Sequence, residues 1–364
     1  MAEENATLTI SKEESQRISV FKVWLSIMVV FIHAYDTNMY FAGDTVTFAD
    51  PAWLDTMKYL VSQALSGSAV PAFFFLSAYL LYRKPFVWKQ NIRKKAKSLL
   101  IPYFLLNALW ILIFFIAQNI PVTQPFFSNP ENIVANWGLA EWATRFFGSP
   151  TELFPMLYPL WFVRTLFILN VLSFAFDWFV EKLGRYSLVI FILGWLFIET
   201  THVFFLSIQA ICFWGLGCYF AKRKISISSL DKYKIPLAAA YICLVAATLF
   251  TRDGSGILCL FVHRLCRLTG VAFWYVCTTK IRGRIMPAIS FVAKYTFCIY
   301  LFHEMNLTIL KKVLARLVPQ TSFFAVFFYF GIPVIIIGFC VLLSFLLEKY
   351  TPGVYRLVSG GRRK

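Results

Sequence analysis

Residues 21–36 read FKVWLSIMVVFIHAYD. The stretch is apolar enough to open a membrane span, yet it holds Lys22 near one end and His33 deep inside. A span needs roughly 20 mostly apolar residues, and polar side chains within one are costly enough to be read first as functional. Eleven residues at about 100° each make three turns plus about 20°, so Lys22 and His33 share a helix face. At 1.5 Å per residue they lie roughly 16 Å apart along the axis, so they can line one polar cavity from two levels without touching. Lys22 taken alone reads as an interface lysine whose ammonium reaches water. His33 is either a general base, for which imidazole is suited near neutral pH, or a structural ring bonded to a neighbouring helix. Asp36 falls on the same face. It either orients that ring or ends the helix in solvent.

The whole chain supports the membrane reading. Its 364 residues are 59% hydrophobic, 19% aromatic and only 15% charged, with a mean hydropathy of +0.67. Soluble domains carry about a quarter charged residues. The net charge of +17 is gathered in loops, which disfavours nucleic acid as a partner. Cys212, Cys218, Cys243, Cys259, Cys266, Cys277, Cys298 and Cys340 all lie in apolar stretches without a CxxC pair. They read as small buried hydrophobes, and no metal site or disulfide framework is expected. The polar, mixed-charge opening MAEENATLTISKEESQR lacks the basic region of a cleaved signal peptide, so the first span is expected to stay in the protein.

Hydropathy gives an all-α membrane protein of about ten transmembrane helices. They fall near 18–41, 64–82, 98–118, 156–178, 186–200, 202–221, 235–251, 256–279, 288–310 and 323–348. The fifth and sixth form a tight hairpin around ETTH, 199–202. Residues 1–17 read as a polar N-terminus, 18–350 as one transmembrane domain and 351–364 as a basic tail. The stretches 83–97, 221–234 and 280–284 hold seven, five and three Lys/Arg, and all fall on one side if the N-terminus is inside. Loop 119–155 contains Arg145 alone, beside Glu131, Glu141 and Glu152. Both termini are therefore expected in the cytoplasm. One segment conflicts: KKVLAR, 311–316, falls outside and reads as an amphipathic end of the ninth span.

Four more stretches carry polar groups in apolar settings. GSAVPAFFFLSAYLLYRK, 67–84, has the small residues that allow close helix packing. RKKAKSLLIPYF, 93–104, places Lys94 and Lys97 at a span entrance, either as a topology signal or as phosphate ligands. PLWFVRTLFILN, 159–170, buries Arg164 in an apolar run. FCIYLFHEMN, 297–306, sets His303 and Glu304 inside a span. Arg264 and Arg267 sit in the eighth.

With these stretches in place, the chain resembles the acyltransferase-3 family of integral membrane acyltransferases, and within it the bacterial sugar O-acetyltransferases of surface polysaccharides. The family's basic residue, ten residues and histidine match Lys22 and His33. Its Val-Pro-x-Phe-Phe-x-x-Ser-Gly-Tyr element resembles VPAFFFLSAY, 70–79. Its paired basic residues before Pro-Tyr match Lys94, Lys97, Pro102 and Tyr103. Its Leu-Trp-Phe matches 160–162, and its late Ile-Tyr-x-x-His matches Ile299, Tyr300 and His303. The likeness spans nearly the full chain. Ala78 replaces the family's glycine, and lysines at 22, 94 and 97 replace its usual arginines, which would grip phosphate bidentately.

The resemblance implies transfer of an acyl group, acetyl above all, from cytoplasmic acetyl-CoA or another acyl-CoA to a hydroxyl of a carbohydrate or lipid-linked glycan outside. The setting would be the plasma (inner) membrane. It implies His33 as general base, with Lys22, Lys94 and Lys97 holding the donor's phosphates. Arg164, Arg264 and Arg267 are candidates for phosphates or the oxyanion. Asp36, His303 and Glu304 contact the acceptor or support the site. From another class, a transporter or flippase also places charges inside spans, but no internal repeat of the kind many transporters show is visible. A sensor or scaffold would leave His33, Arg164 and His303 unexplained.

The loop charges generate a direct test. Reporters fused at either terminus should be active only in their cytoplasm-dependent form, a fluorescent protein rather than a periplasmic phosphatase. A phosphatase active at either terminus would overturn the orientation.

Overall fold

The computed structural model describes residues 10–35, 38–42, 44–47, 50–84, 87–149, 154–281 and 283–361. Asp36 lies outside them, so its expected part at the end of the first helix has no structural account.

Helices dominate. They are α1 (Lys12–Ala34), α2 (Ala52–Tyr82) and α3 (Trp88–Gln118), α4 (Leu139–Phe147), α5 (Leu160–Val171), α6 (Ser173–Leu183), α7 (Arg185–Phe197) and α8 (Ile208–Lys222). Then come α9 (Ile227–Phe250), α10 (Ile257–Lys280), α11 (Gly283–Leu317) and α12 (Ser322–Tyr350), and the short α13 (Pro352–Val358). Three short 3-10 helices lie between α3 and α4, and there are two small antiparallel hairpins: β1 (Asn38–Phe41) with β2 (Asp44–Thr47), and β3 (His202–Val203) with β4 (Leu206–Ser207).

Seven of the helices are long and apolar enough to cross a membrane, and α5 with α6, bent by 58°, would make an eighth. This is a multi-pass membrane protein. The expected fifth and sixth spans correspond to α7 and α8, joined through the β3–β4 turn. At 13 and 15 residues these two are shorter than the roughly 20 residues that a full crossing takes. The first span differs at both ends. It begins at Lys12 and stops at Ala34, and the chain expected to remain helical to residue 41 turns into β1. The turn after β1 places Ala42 at φ 51°, and its N–H donates to Pro125 O at 2.8 Å. The ninth expected span is the 35-residue α11, long enough to carry KKVLAR as helix. All eight cysteines are free, but Cys243 and Cys277 are exposed, contrary to the expectation of burial.

The chain divides into two compact units. The first comprises Met1–Val29, Gln63–Lys95 and Thr165–Lys294, and the second Val30–Ser62, Ala96–Arg164 and Tyr295–Lys364.

In the first unit the closest packing uses glycine. A Cβ on Gly217 of α8 would stand 2.2 Å from Phe75 O of α2, and one on Gly215 would stand 2.3 Å from the Phe191 ring. With no hydrophobic drive between helices in lipid, such small-residue contacts supply much of the association. VPAFFFLSAY is therefore a packing surface, with Ala72, Phe74 and Ala78 fully buried. Buried charges pair off. Arg17 grips Asp231 through both terminal nitrogens at 2.7 and 2.8 Å and Thr278 Oγ1 through Nε at 3.1 Å. Tyr79 donates to Glu14 at 2.7 Å, and Arg83 donates to the Tyr79 hydroxyl.

In the second unit, Ser62 Oγ donates to Phe31 O at 2.6 Å, and Lys58, 2% exposed, pairs with Asp50 at 2.5 Å. At the other end of this unit, Gly360 sits at φ 66°, and a Cβ there would stand 2.1 Å from Ser98 O.

The glycine contact sets a stability test. Gly217→Ala should cost about 1–3 kcal/mol, the usual range for overpacking, read as a lower melting temperature in detergent. Gly338→Ala, where a Cβ meets nothing within 4 Å, should leave it unchanged.

Candidate active site

Everything described around His33 belongs to the second unit. His33 stands in the last turn of α1. Facing it is α11, where His303 meets its ring and Tyr300, Glu304 and Lys311 recur at helical spacing beside His303. The two imidazoles meet edge to face, with ring centroids 4.9 Å apart and planes at 62°. Tyr158, just before α5, lies on another side of His33 with centroids 5.4 Å apart.

The hydrogen bonds of His303 decide its tautomer. Its Nδ1 lies 3.1 Å from Ile299 O and 2.8 Å from Tyr300 O. Both partners are carbonyls, which only accept, so Nδ1 carries the proton. Nε2 is left with a lone pair. Among the described residues it has no hydrogen-bond partner, and it sits on a ring that is 0% exposed. A buried, unsatisfied acceptor costs roughly 1–3 kcal/mol and is kept where something uses it.

Lys311 brings α1 and α11 together. Its Nζ donates to Ala34 O at 2.9 Å, at the C-terminal end of α1, where the helix dipole and open carbonyls favour a cation. Lys312 donates to Phe126 O at 2.6 Å, and the Arg316 guanidinium lies 5.5 Å from the Phe41 ring centroid. Lys311, Lys312 and Arg316 of KKVLAR are thus held against protein. That is the physical reason a basic segment can stand where the loop charges disfavour one. Tyr300 donates to Pro159 O, and Thr308 Oγ1 donates to Glu304 Oε1 at 3.1 Å.

Other sequence candidates fall elsewhere. Arg164 is buried and donates to Phe147 O at the end of α4. Tyr103 donates to the neighbouring Phe146 O at 2.5 Å. Asn107 donates to Arg145 O at 3.1 Å and accepts from Leu157 N–H at 2.9 Å. Tyr103, Asn107 and Arg164 therefore clamp residues 145–147 and Leu157 between α3 and α5. Arg264, in the first unit, donates to Trp195 O and Ile198 O at 2.9 and 2.5 Å and so closes the end of α7. Arg267, also there, lies alongside Gly67, where a Cβ would meet its Nε at 3.1 Å. Lys22 is half-buried on α1, while Lys94 and Lys97 are exposed on α3. Residues 96–100, Lys97 among them, are wound as π-helix rather than α-helix. Sequence reasoning missed Lys311 and Tyr158 as neighbours of His33. The signal for the first was the charge conflict at KKVLAR.

With the geometry in place, comparison with known proteins adds a consistent result. A family model described as an acyltransferase domain matches residues 16–347. The chain is 22% identical over 360 residues to "Succinoglycan biosynthesis protein ExoH" of Rhizobium meliloti (strain 1021), covering 96% of this chain and 92% of that protein. No solved structure matches.

The clamp generates a prediction. Arg164→Leu should cost about 1.5–3 kcal/mol, as for a lost hydrogen bond to a charged group. It should speed proteolysis of the 139–149 segment and leave donor affinity unchanged. A weaker donor affinity with an unaltered loop would return Arg164 to the donor site.

Proposed function

Because the chain belongs to the acyltransferase-3 family, we propose that this membrane acyltransferase moves an acyl group, acetyl above all, from acetyl-CoA at the cytoplasmic face to a hydroxyl of an extracytoplasmic glycan or lipid-linked sugar. The likeness to a succinoglycan biosynthesis protein over nearly the full length of both chains supports a sugar acceptor. The loop charges support both termini inside, in the plasma (inner) membrane.

The observation that carries the chemistry is the contact of His33 with a second imidazole whose open nitrogen is an acceptor. In the reacting arrangement the His33 ring turns from its edge-to-face contact so that one nitrogen donates to His303 Nε2, which would fix the ring and leave the other nitrogen basic. That nitrogen takes the proton of the acceptor hydroxyl as its oxygen attacks the thioester carbonyl carbon. The carbon–sulfur bond then breaks, and the coenzyme A sulfur leaves with the proton returned by His33. The acyl group ends on the acceptor oxygen, and no net proton is consumed. His303 acts through His33, as the orienting member of a catalytic triad acts through its base.

Lys22, eleven residues before His33 on the same helix, is assigned to the donor's phosphates together with Lys94, Lys97 and Arg267. Arg164 and Arg264 serve helix ends instead. Asp36 and Glu304 are assigned to support or acceptor contact.

The test is acyl transfer by purified protein. His33→Ala should lower kcat about 10²–10⁴-fold, the usual cost of a lost general base, in a variant that still purifies as one species. His303→Leu should lower kcat with both KM values little changed, and His303→Gln, which restores an acceptor oxygen, should recover part of the loss. Near-normal transfer by His33→Ala would refute the base. A protein that moves a glycan without consuming acyl-CoA would instead be a transporter.

A further inference from the structure

Residues 154–159, FPMLYP, form the non-helical approach to α5. Residues 156–159 run through bends and a turn, which bury Pro155, Leu157 and Pro159 and leave Phe154 and Tyr158 exposed. The outward pair is 40% and 38% exposed. Their rings lie one over the other, centroids 4.3 Å apart and planes at 32°. The inner ring of the pair, Tyr158, is the one that meets His33. Two exposed aromatics therefore lead without a gap to the candidate base.

The segment is also held still. Met156 N–H donates to Arg145 O at 2.7 Å, Leu157 N–H to Asn107 Oδ1 at 2.9 Å, and Pro159 O accepts from Tyr300. Irregular backbone does not face lipid at membrane depth, where it is tolerated only inside protein or along a water-filled cavity. The hydrogen bonds to Asn107 and from Tyr300 meet that requirement for the backbone, while the faces of Phe154 and Tyr158 stay exposed. Glu304 stands one turn along α11 from Tyr300, whose hydroxyl donates to Pro159 O next to Tyr158.

We propose that Phe154 and Tyr158 form a platform on which the acceptor's pyranose ring lies, with Glu304 binding its hydroxyls and His33 meeting the hydroxyl to be acylated. A pyranose has a C–H face that packs on an aromatic ring and a hydroxyl rim that needs hydrogen-bonding partners. A rigid aromatic pair beside a carboxylate supplies both. The assignment rests on the acyltransferase reading and adds to it the sugar-binding subsite.

The experiment uses the full chain in nanodiscs with methyl β-D-glucopyranoside and methyl β-D-galactopyranoside as probes. Saturation-transfer NMR reads binding without any reaction, and acetyl transfer from acetyl-CoA reads KM. Saturation transfer to at least one glycoside is expected in the wild type and should fall in Phe154→Ala and Tyr158→Ala. Each substitution should raise the KM for that glycoside about tenfold, the scale of one aromatic contact, and move the KM for acetyl-CoA less than twofold. Tyr158→Phe should keep most of the binding. Phe154 does not contact His33 in the aromatic pairs described, so a rise in sugar KM there is not a side effect on the base. Unchanged glycoside binding in both alanine variants would overturn the platform, as would a rise in the acetyl-CoA KM alone, which would assign the rings to the donor's arm. Glycoside binding that depends on the two rings in a protein that consumes no acetyl-CoA would keep the platform and sink the transferase.

Discussion

The ammonium of Lys311 on the final carbonyl of α1 is the contact on which the candidate site depends. An α-helix ends with open carbonyls and partial negative charge. In a membrane protein those groups need a donor from within the protein. Lys311 supplies one at 2.9 Å and, in doing so, lays α11 beside the last turn of α1. His33 and His303 then meet at 4.9 Å because each is fixed a few residues from that contact. The tautomer of His303 follows from the same helix, whose carbonyls at 299 and 300 hold its Nδ1 proton.

The same device recurs with other cations. Arg164 closes α4, Arg264 closes α7 and Lys312 binds Phe126 O. Each is a charge in or beside an apolar stretch, and each donates to a backbone carbonyl. A guanidinium or ammonium has several donors and no acceptor, so a cluster of helix-end carbonyls suits it as well as a phosphate does. This is why an arginine inside a span marks a polar partner without saying whether that partner is ligand or protein.

Much of this was legible in the sequence. Hydropathy found the long helices, and the two polar residues of the first span pointed to His33 before any coordinates. The Ile-Tyr-x-x-His stretch flagged His303. What was not legible depended on contacts between distant residues. Nothing local distinguishes Lys311 from Lys312, and only the fold puts Ala34 O beside the first. Tyr158 was hidden next to a recognised stretch, because an exposed tyrosine after a proline-bounded turn has no signature of its own. The end of α1 was overextended because Asn38–Phe41 is apolar enough to continue a helix, and its pairing with β2 is a property of the chain beyond it. The bend between α5 and α6 left no proline or glycine within the break at Leu172 to announce it.

The Lys311–Ala34 bond joins residues 277 positions apart, which has a consequence in time. The first helix leaves the ribosome early, carrying an imidazole and an end without its lysine. At about 5–20 residues per second the partner is made roughly 14–55 s later. During that interval α1 inserts as an independent helix and His33 has no second imidazole beside it. The active arrangement is therefore a late product of assembly. A nascent chain interrupted before residue 303 would carry His33 without the second imidazole that meets it in the folded protein.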